Sequence, residues 1–251
     1  MRPERGRSMV PLLAGVVLLL LASPDATAQS ITLELSGAGT TTGQLLRLFL
    51  LLTLLSLLPS LLVMVTSFTR IIIALSLLRS AVGLQQSPPN IVLLGLSLFL
   101  TLFIMQPTLE AAWKEGVAPL VREEIDERTA FTRAAAPFRR FMLERVREKD
   151  LALFFGIAEI EPPDDPEATP LRVLVPAFMI GELRRAFEIG FLLYLPFIVI
   201  DLVVAAVLMS MGMMMLPPVM VSMPFKLIFF VLVDGWYLVI GSLVEGFGTP
   251  G

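Results

Sequence analysis

Long runs of uncharged, apolar residues occupy this chain, and their lengths predict helices that cross a membrane. Residues 48–65 and 91–105 are two such runs, and residues 191–236 form a third that is long enough for two crossings. A membrane-spanning helix needs about 20 apolar residues. The pattern therefore predicts an all-α membrane protein with four apolar helical segments, arranged as two hairpins.

The third run turns at a methionine-rich bend, which we define as residues 209–223. Seven of its fifteen residues are methionine, and it also contains Gly212, Pro217 and Pro218. Two successive prolines remove two backbone donors and restrain the preceding residue, so a helix cannot continue through them. At a rise of about 1.5 Å per residue, Asp201 lies about 16 Å before Gly212 and Lys226 about 12 Å after Pro218, so the two charges are at similar depth.

Charged residues within the apolar arms need partners, because each costs about 2.5–3.5 kcal/mol at a bilayer centre. Asp201 and Lys226 pair within one hairpin or, as we prefer, join Glu182 in a polar network between neighbouring copies of the chain. Asp234 stands beside Gly235 and Trp236, which suits an interfacial residue next to an aromatic anchor.

A highly charged stretch separates the two hairpins. Residues 110–170 contain 23 of the 41 charged residues of the chain. Apolar residues recur at helical spacing within residues 109–125 and 138–146, which predicts two amphipathic helices. The acidic, proline-rich residues 160–170 indicate a solvated loop that returns to the membrane. The stretch is therefore predicted to be a small soluble helical insertion.

The N-terminal residues have the three-part layout of a secretory signal peptide. Three arginines precede an apolar run at residues 10–22, and Ala26-Thr27-Ala28 then offers a cleavage site. An uncleaved anchor is the alternative. With the mature N-terminus outside, span counting places residues 66–86 in the cytoplasm, where Arg70 and Arg79 fit the positive-inside rule, and the charged insertion in the periplasm.

The predicted organisation follows from these boundaries. It is a signal peptide at 1–28, a short periplasmic lead at 29–44, a first membrane hairpin at 45–108, a periplasmic helical domain at 109–172, a second membrane hairpin with the methionine-rich bend at 173–245, and a tail at 246–251.

The amino-acid composition limits the kinds of catalytic and metal sites that the chain can form. The chain is 56% apolar and 16% charged and contains neither cysteine nor histidine. This excludes disulfides, thiol or imidazole catalysis and the common zinc sites. No glycine-rich phosphate-binding loop is present, and Asp234-Gly235 alone does not make an aspartyl protease motif. We therefore predict no enzymatic activity, no metal site and no cofactor.

Three long stretches also carry a family resemblance. They are LLTLLSLLPSLLVMVTSFTRIIIALSLLRSAVGLQQSPPNIVLLGLSLFLTLFIMQP at 51–107, PAFMIGELRRAFEIGF at 176–191, and LLYLPFIVIDLVVAAVLMSMGMMMLPP with SMPFKLIFFVLVDGW at 192–236. These stretches resemble the FliP family of flagellar type III export gate subunits, which has SctR-type homologues in injectisomes. Three long motifs in the same order make the resemblance specific.

The resemblance implies a function and a set of partners. It implies a pore-forming subunit in the bacterial inner membrane, within the flagellar basal body, that conducts unfolded flagellar subunits. The expected assembly is a homo-oligomer, taken as a pentamer, with FliQ and FliR and near FlhB and FlhA; no nucleic acid is involved. In the family the methionine-rich loop forms a gasket, which here would comprise Met209, Met211, Met213, Met214 and Met215.

Other interpretations stay open at this point. The methionines also suit core filling, because methionine is unbranched and adaptable, or a Cu(I) site, because thioethers are soft ligands. An injectisome subunit would differ in cargo only. A small-solute or metal transporter would need a polar site at mid-membrane and often has inverted repeats, whereas the two halves of this chain show no internal symmetry.

The first prediction is that the mature protein begins at Gln29. The reason is the Ala26-Thr27-Ala28 site that follows the apolar run at residues 10–22. N-terminal sequencing of the membrane-extracted protein measures this directly. Recovery of an intact Met1 end from functional complexes would show that the segment is an anchor.

Overall fold

The computed structural model describes residues 41–84, 86–213 and 215–248. The predicted signal peptide, most of the predicted lead, Gln85 and Met214 lie outside the described residues. Every regular element in the described part is helical, which confirms the all-α prediction. The chain divides into two compact units, Met1–Leu52 and Thr53–Gly251.

The described elements are named here in chain order. They are α1 (Thr41–Met64), α2 (Phe68–Val82), α3 (Asn90–Ala112), a π-helical turn (Trp113–Val117), α4 (Ala118–Val121), α5 (Glu127–Leu143), α6 (Glu148–Ala158), a 3-10 turn (Pro166–Ala168), α7 (Leu171–Ser210), α8 (Pro218–Leu232) and α9 (Gly235–Glu245). The described part of the first unit is the N-terminal half of α1. The other helices belong to the second unit.

The long helix α7 organises the second unit. It has 40 residues, so it is about 60 Å long at 1.5 Å per residue, roughly twice the hydrocarbon thickness of a bilayer. It joins the motif at 176–191 and the first arm of the hairpin, which the sequence analysis treated as separate segments. Glu182 and Asp201 therefore lie on one continuous element.

Helix α2 lies where the sequence indicated a cytoplasmic connection. Its residues Ile71, Ala74 and Leu75 are fully buried, and they share the main hydrophobic core with Leu174 and Phe178 of α7. Arg70, which the positive-inside argument counted only as a basic residue of this segment, is buried in α2. The positive-inside rule counts charges in a segment and does not distinguish a solvated arginine from a buried one.

The charged insertion is helical, but its helices differ from the two predicted. The first apolar repeat continues α3 through the π-helical turn into α4, and the second, at 138–146, begins in α5 and extends past its end at Leu143. Helix α6 was not predicted. Residues 160–170 contain only the short 3-10 turn, which agrees with the predicted loop. Both α5 and α6 pack against α7, so the insertion is attached to the long helix.

Two helical stretches among the described residues are long and apolar enough to cross a membrane. They are Asn90–Val121 and Leu171–Ser210. Helices α8 and α9 make a third if their 63° break lies within one span. The arrangement of four segments as two membrane hairpins stays a prediction.

Candidate functional site: two ion pairs and a methionine-rich bend

A bidentate ion pair links α2 to α7. Arg70 donates from Nε to Glu182 Oε2 at 2.8 Å and from Nη2 to Glu182 Oε1 at 2.5 Å. The two side chains are only 2% and 1% exposed. Two parallel charge-assisted hydrogen bonds match the planar guanidinium to the carboxylate. The pair therefore fixes both the distance and the orientation between the two helices.

The residues after α9 cover this ion pair. Arg70 Nη1 donates to the Gly246 carbonyl at 3.1 Å, and the Phe247 ring lies 3.7 Å from the Arg70 guanidinium. Arg145, which follows α5, donates to the Phe247 carbonyl at 2.8 Å. The first two residues of the predicted tail are thus packed between α2 and the insertion.

A second ion pair joins the two arms of the hairpin. Lys226 Nζ lies 2.7 Å from Asp201 Oδ2, with the side chains 4% and 29% exposed. Ser222 donates to the other carboxylate oxygen of Asp201, and Lys226 also donates to the Ala81 carbonyl at 3.2 Å. The pair thus ties α7 and α8 to the C-terminal end of α2.

The three residues of the predicted polar network belong to two different ion pairs. Asp201 and Lys226 pair within one chain, which was the less favoured of the two arrangements considered from sequence. Glu182 bonds to Arg70 instead of either of them. A network of Glu182, Asp201 and Lys226 between copies stays a prediction.

The methionine-rich bend spans the end of α7, the connection at residues 211–217 and the first turns of α8. Helix α7 ends at Ser210, Gly212 has a φ of 73°, and Pro218 is the first residue of α8 after Pro217 at its N-cap. A positive φ is easy for glycine, and proline is well suited to the first helical turn. All three residues lie between the end of α7 and the first residue of α8.

Most described methionines of the bend are exposed, whereas Met223 in α8 is half-buried. Met209, Met211 and Met213 are exposed, and Met215 is 99% exposed. This argues against core filling within one chain, because these thioethers contact little of their own chain. Met214 lies outside the described residues. No group of three or more acidic side chains in the described part is placed to hold a metal ion.

Sequence reasoning missed several members of the site. Arg70 was noted only as a basic residue of residues 66–86, yet its position beside the apolar run that begins at Ile71 was a usable signal of burial. Ser222 and the Ala81 carbonyl carried no distinguishing signal, because their roles depend on which helices meet. Phe247 was likewise hidden in a short glycine-rich tail.

Comparison with known proteins identifies one protein family and several relatives that share one name. The FliP family model matches residues 51–243. Flagellar biosynthetic protein FliP of Caulobacter vibrioides is 51% identical over 97% of this chain and 91% of its own length. The proteins of the same name from Agrobacterium fabrum and Bacillus subtilis are 48% and 52% identical, over 95% and 80% of this chain and 100% and 91% of their own lengths.

We predict that Arg70→Lys destabilises the protein strongly although it keeps the charge. Lysine cannot make the bidentate contact with Glu182 or reproduce the planar stacking on Phe247, so we expect a loss of about 2–4 kcal/mol. Thermal unfolding of the purified protein measures this. The matched control is Arg184→Lys in the exposed Arg184–Glu188 pair of α7, where the effect should be less than about 1 kcal/mol. Equal shifts in the two variants would contradict the prediction.

We also predict that Lys226→Glu prevents stable oligomer formation, because two acidic groups then face each other at a largely buried position. Adding Asp201→Lys in the same chain should restore assembly only in part, since the new glutamate would face the Ala81 carbonyl. Blue-native gels of a tagged subunit measure the oligomer. Normal assembly of the single variant would reject the pairing.

Co-production of the two single variants, Lys226→Glu and Asp201→Lys, separates pairing within a chain from pairing between chains. Pairing within one chain predicts no recovery, because each chain keeps two like charges. Recovery of the oligomer in the mixture would show that the pair forms between copies.

Proposed function

Because this chain belongs to the FliP family, we propose that it is the pore-forming core subunit of the flagellar type III export gate, conducting unfolded flagellar subunits across the inner membrane. Family members are components of this gate, and the relatives compared above all carry a flagellar name. The same membership makes a structural role, without catalysis, the function that we assign.

The observation that carries the proposal is the exposed methionine-rich bend. A gate for unfolded chains must seal against ions at rest and must yield to side chains of every shape during export. Methionine has a flexible, polarizable side chain without a strong hydrogen-bonding demand, so several copies can pack in different ways and reseal. A narrow apolar constriction also resists wetting, which blocks ions without a charged gate. We assign this sealing role to Met209, Met211, Met213, Met214 and Met215.

The Asp201–Lys226 pair supports the seal by holding the two arms of the hairpin together. A bend that must deform needs a fixed base. The ion pair and its bond to the Ala81 carbonyl connect that base to α2, which in turn is fixed to α7 through Arg70 and Glu182. Deformation is therefore limited to the residues between α7 and α8.

The surface of the hairpin supports assembly with further subunits. A wholly apolar groove of about 420 Å³ between α7 and α8 is lined by residues that include Val203, Val207 and Phe225. Exposed apolar surface of this kind is stable only against lipid or protein. We propose that copies of this chain, as a pentamer, together with FliQ and FliR cover it, near FlhB and FlhA. The proposed location is the inner membrane, with the insertion in the periplasm.

We predict that simultaneous replacement of Met213, Met214 and Met215 by alanine opens the seal but leaves assembly and export intact. Each replacement removes three heavy side-chain atoms, while Asp201 and Lys226 still hold the hairpin. In a strain that lacks the native subunit, secretion of flagellar proteins measures export, and conductance in planar bilayers measures the leak.

The control for this experiment is the triple replacement by leucine, which keeps most of the apolar volume and should stay nearly sealed. An assembled triple-alanine variant as tight to ions as the wild type would assign these methionines to packing. Failure of the wild-type chain to restore secretion would reject the proposed function itself.

A further inference from the structure

Asp234 is an unpaired carboxylate on a strongly apolar hairpin. Residues 189–244 contain only three charged residues, Asp201, Lys226 and Asp234. The first two neutralise each other at 2.7 Å. Asp234 is exposed and has no hydrogen bond or ion pair from its side chain to any described residue. The hairpin therefore carries one negative charge that its own described residues leave uncompensated.

The position of Asp234 is held by the fold. It lies at the 63° break between α8 and α9 with a φ of 50°, a left-handed conformation that aspartate adopts more readily than most residues. Behind it, the rings of Phe230 and Trp236 meet edge to face at 5.4 Å. Although Asp234 occupies the N-cap of α9, its side chain makes no capping hydrogen bond. The carboxylate is thus presented outwards.

The surroundings of this carboxylate are apolar on both sides along the chain. Val231, Leu232 and Tyr237 are each about three-quarters exposed. Asp234 lies 16 residues along the chain from Pro218, or about 24 Å at the helical rise, and the next charged residue is Glu245. Apolar surface that becomes covered in an assembly would exclude water from the carboxylate, and a buried carboxylate requires a cationic partner.

A second copy of this chain is a poor source of that cation. Among the described side chains near the hairpin, Arg70 is bound to Glu182 and Lys226 to Asp201. Arg79 is bonded to the Asn90 side chain and the Pro88 carbonyl. Arg185 lies 16 residues from Asp201 on α7, whereas Asp234 lies 8 residues after Lys226, just beyond the end of α8. In a closed ring of copies at equal height, Arg185 of one copy and Asp234 of its neighbour would be about 12 Å apart along the ring axis.

We infer that Asp234 is the docking point for an arginine or lysine side chain that an apolar helix of a different subunit presents to the broken α8–α9 segment. The partner is defined by its chemistry, a single basic residue on an otherwise apolar helix face. This inference rests on the proposed function, because it requires an assembled gate. It goes beyond the interpretation of Asp234 as an interfacial residue beside the Trp236 anchor.

The test is the composition of the purified complex. The tagged full chain is produced together with its gate partners, extracted from membranes, and compared with Asp234→Asn, Asp234→Glu and the control Glu245→Gln, which neutralises an exposed carboxylate at the end of α9. We expect Asp234→Asn to lower recovery of one partner subunit about tenfold or more, as removal of one member of a buried charge pair does. Asp234→Glu should retain much of the partner, and Glu245→Gln should match the wild type.

Two further measurements keep the outcomes separate. The unfolding temperature of the chain produced alone should be no lower for Asp234→Asn than for the wild type, because no contact within the chain is lost. A partner in which one basic residue is changed to aspartate should restore binding to Asp234→Lys, which would identify the cation.

Three results would overturn the inference. They are normal partner recovery with Asp234→Asn, modification of Asp234 by a water-soluble carbodiimide in the assembled complex, or loss of the homo-oligomer when Asp234→Asn is produced without other subunits. If the wild-type chain itself recovers no partner, the proposed function fails instead.

Discussion

The buried ion pair between Arg70 and Glu182 is the contact on which the rest of the second unit depends. Removing two charges from water is costly, and that cost is offset only where geometry is good and the remaining hydrogen-bonding groups are satisfied. Here Glu182 accepts two bonds, the Gly246 carbonyl takes a third N–H group of Arg70, and Phe247 covers the guanidinium face. Satisfying this one charge pair therefore requires α2, α7 and the residues after α9 to meet in a single arrangement.

The second ion pair is also largely held away from water, but it joins the two arms of the hairpin. Asp201 and Lys226 lie on opposite arms of the hairpin, and the Ala81 carbonyl anchors Lys226 to the end of α2. Because both pairs include α7, one continuous helix of 40 residues connects them. The exposed methionines at 209–215 lie beyond the second pair. A base tied by ion pairs and a less restrained end are what the proposed seal requires.

The residues of the site differ in whether their partners lie within the same chain. Arg70 and Lys226 find their partners within the chain, whereas Asp234 and the exposed methionines do not. The apolar surfaces of α7 and α8 are likewise left uncovered. Exposed apolar residues also lie on α1 and α3, for example Phe49 and Phe99. The insertion is packed onto α7 through α5 and α6.

The sequence by itself determined the helical class, the place of the bend and the need to pair Asp201 with Lys226. Each of these follows from local chemistry, namely apolar run length, the backbone restriction of Pro217 and Pro218, and the cost of charge in an apolar helix. Only the tertiary structure decided that residues 68–82 form a buried helix, that Arg70 pairs with Glu182, and that Phe247 closes that pair. Arg70 and Glu182 are 112 residues apart in the chain, and no local pattern encodes which distant surfaces meet, because that choice depends on the packing of all the helices together.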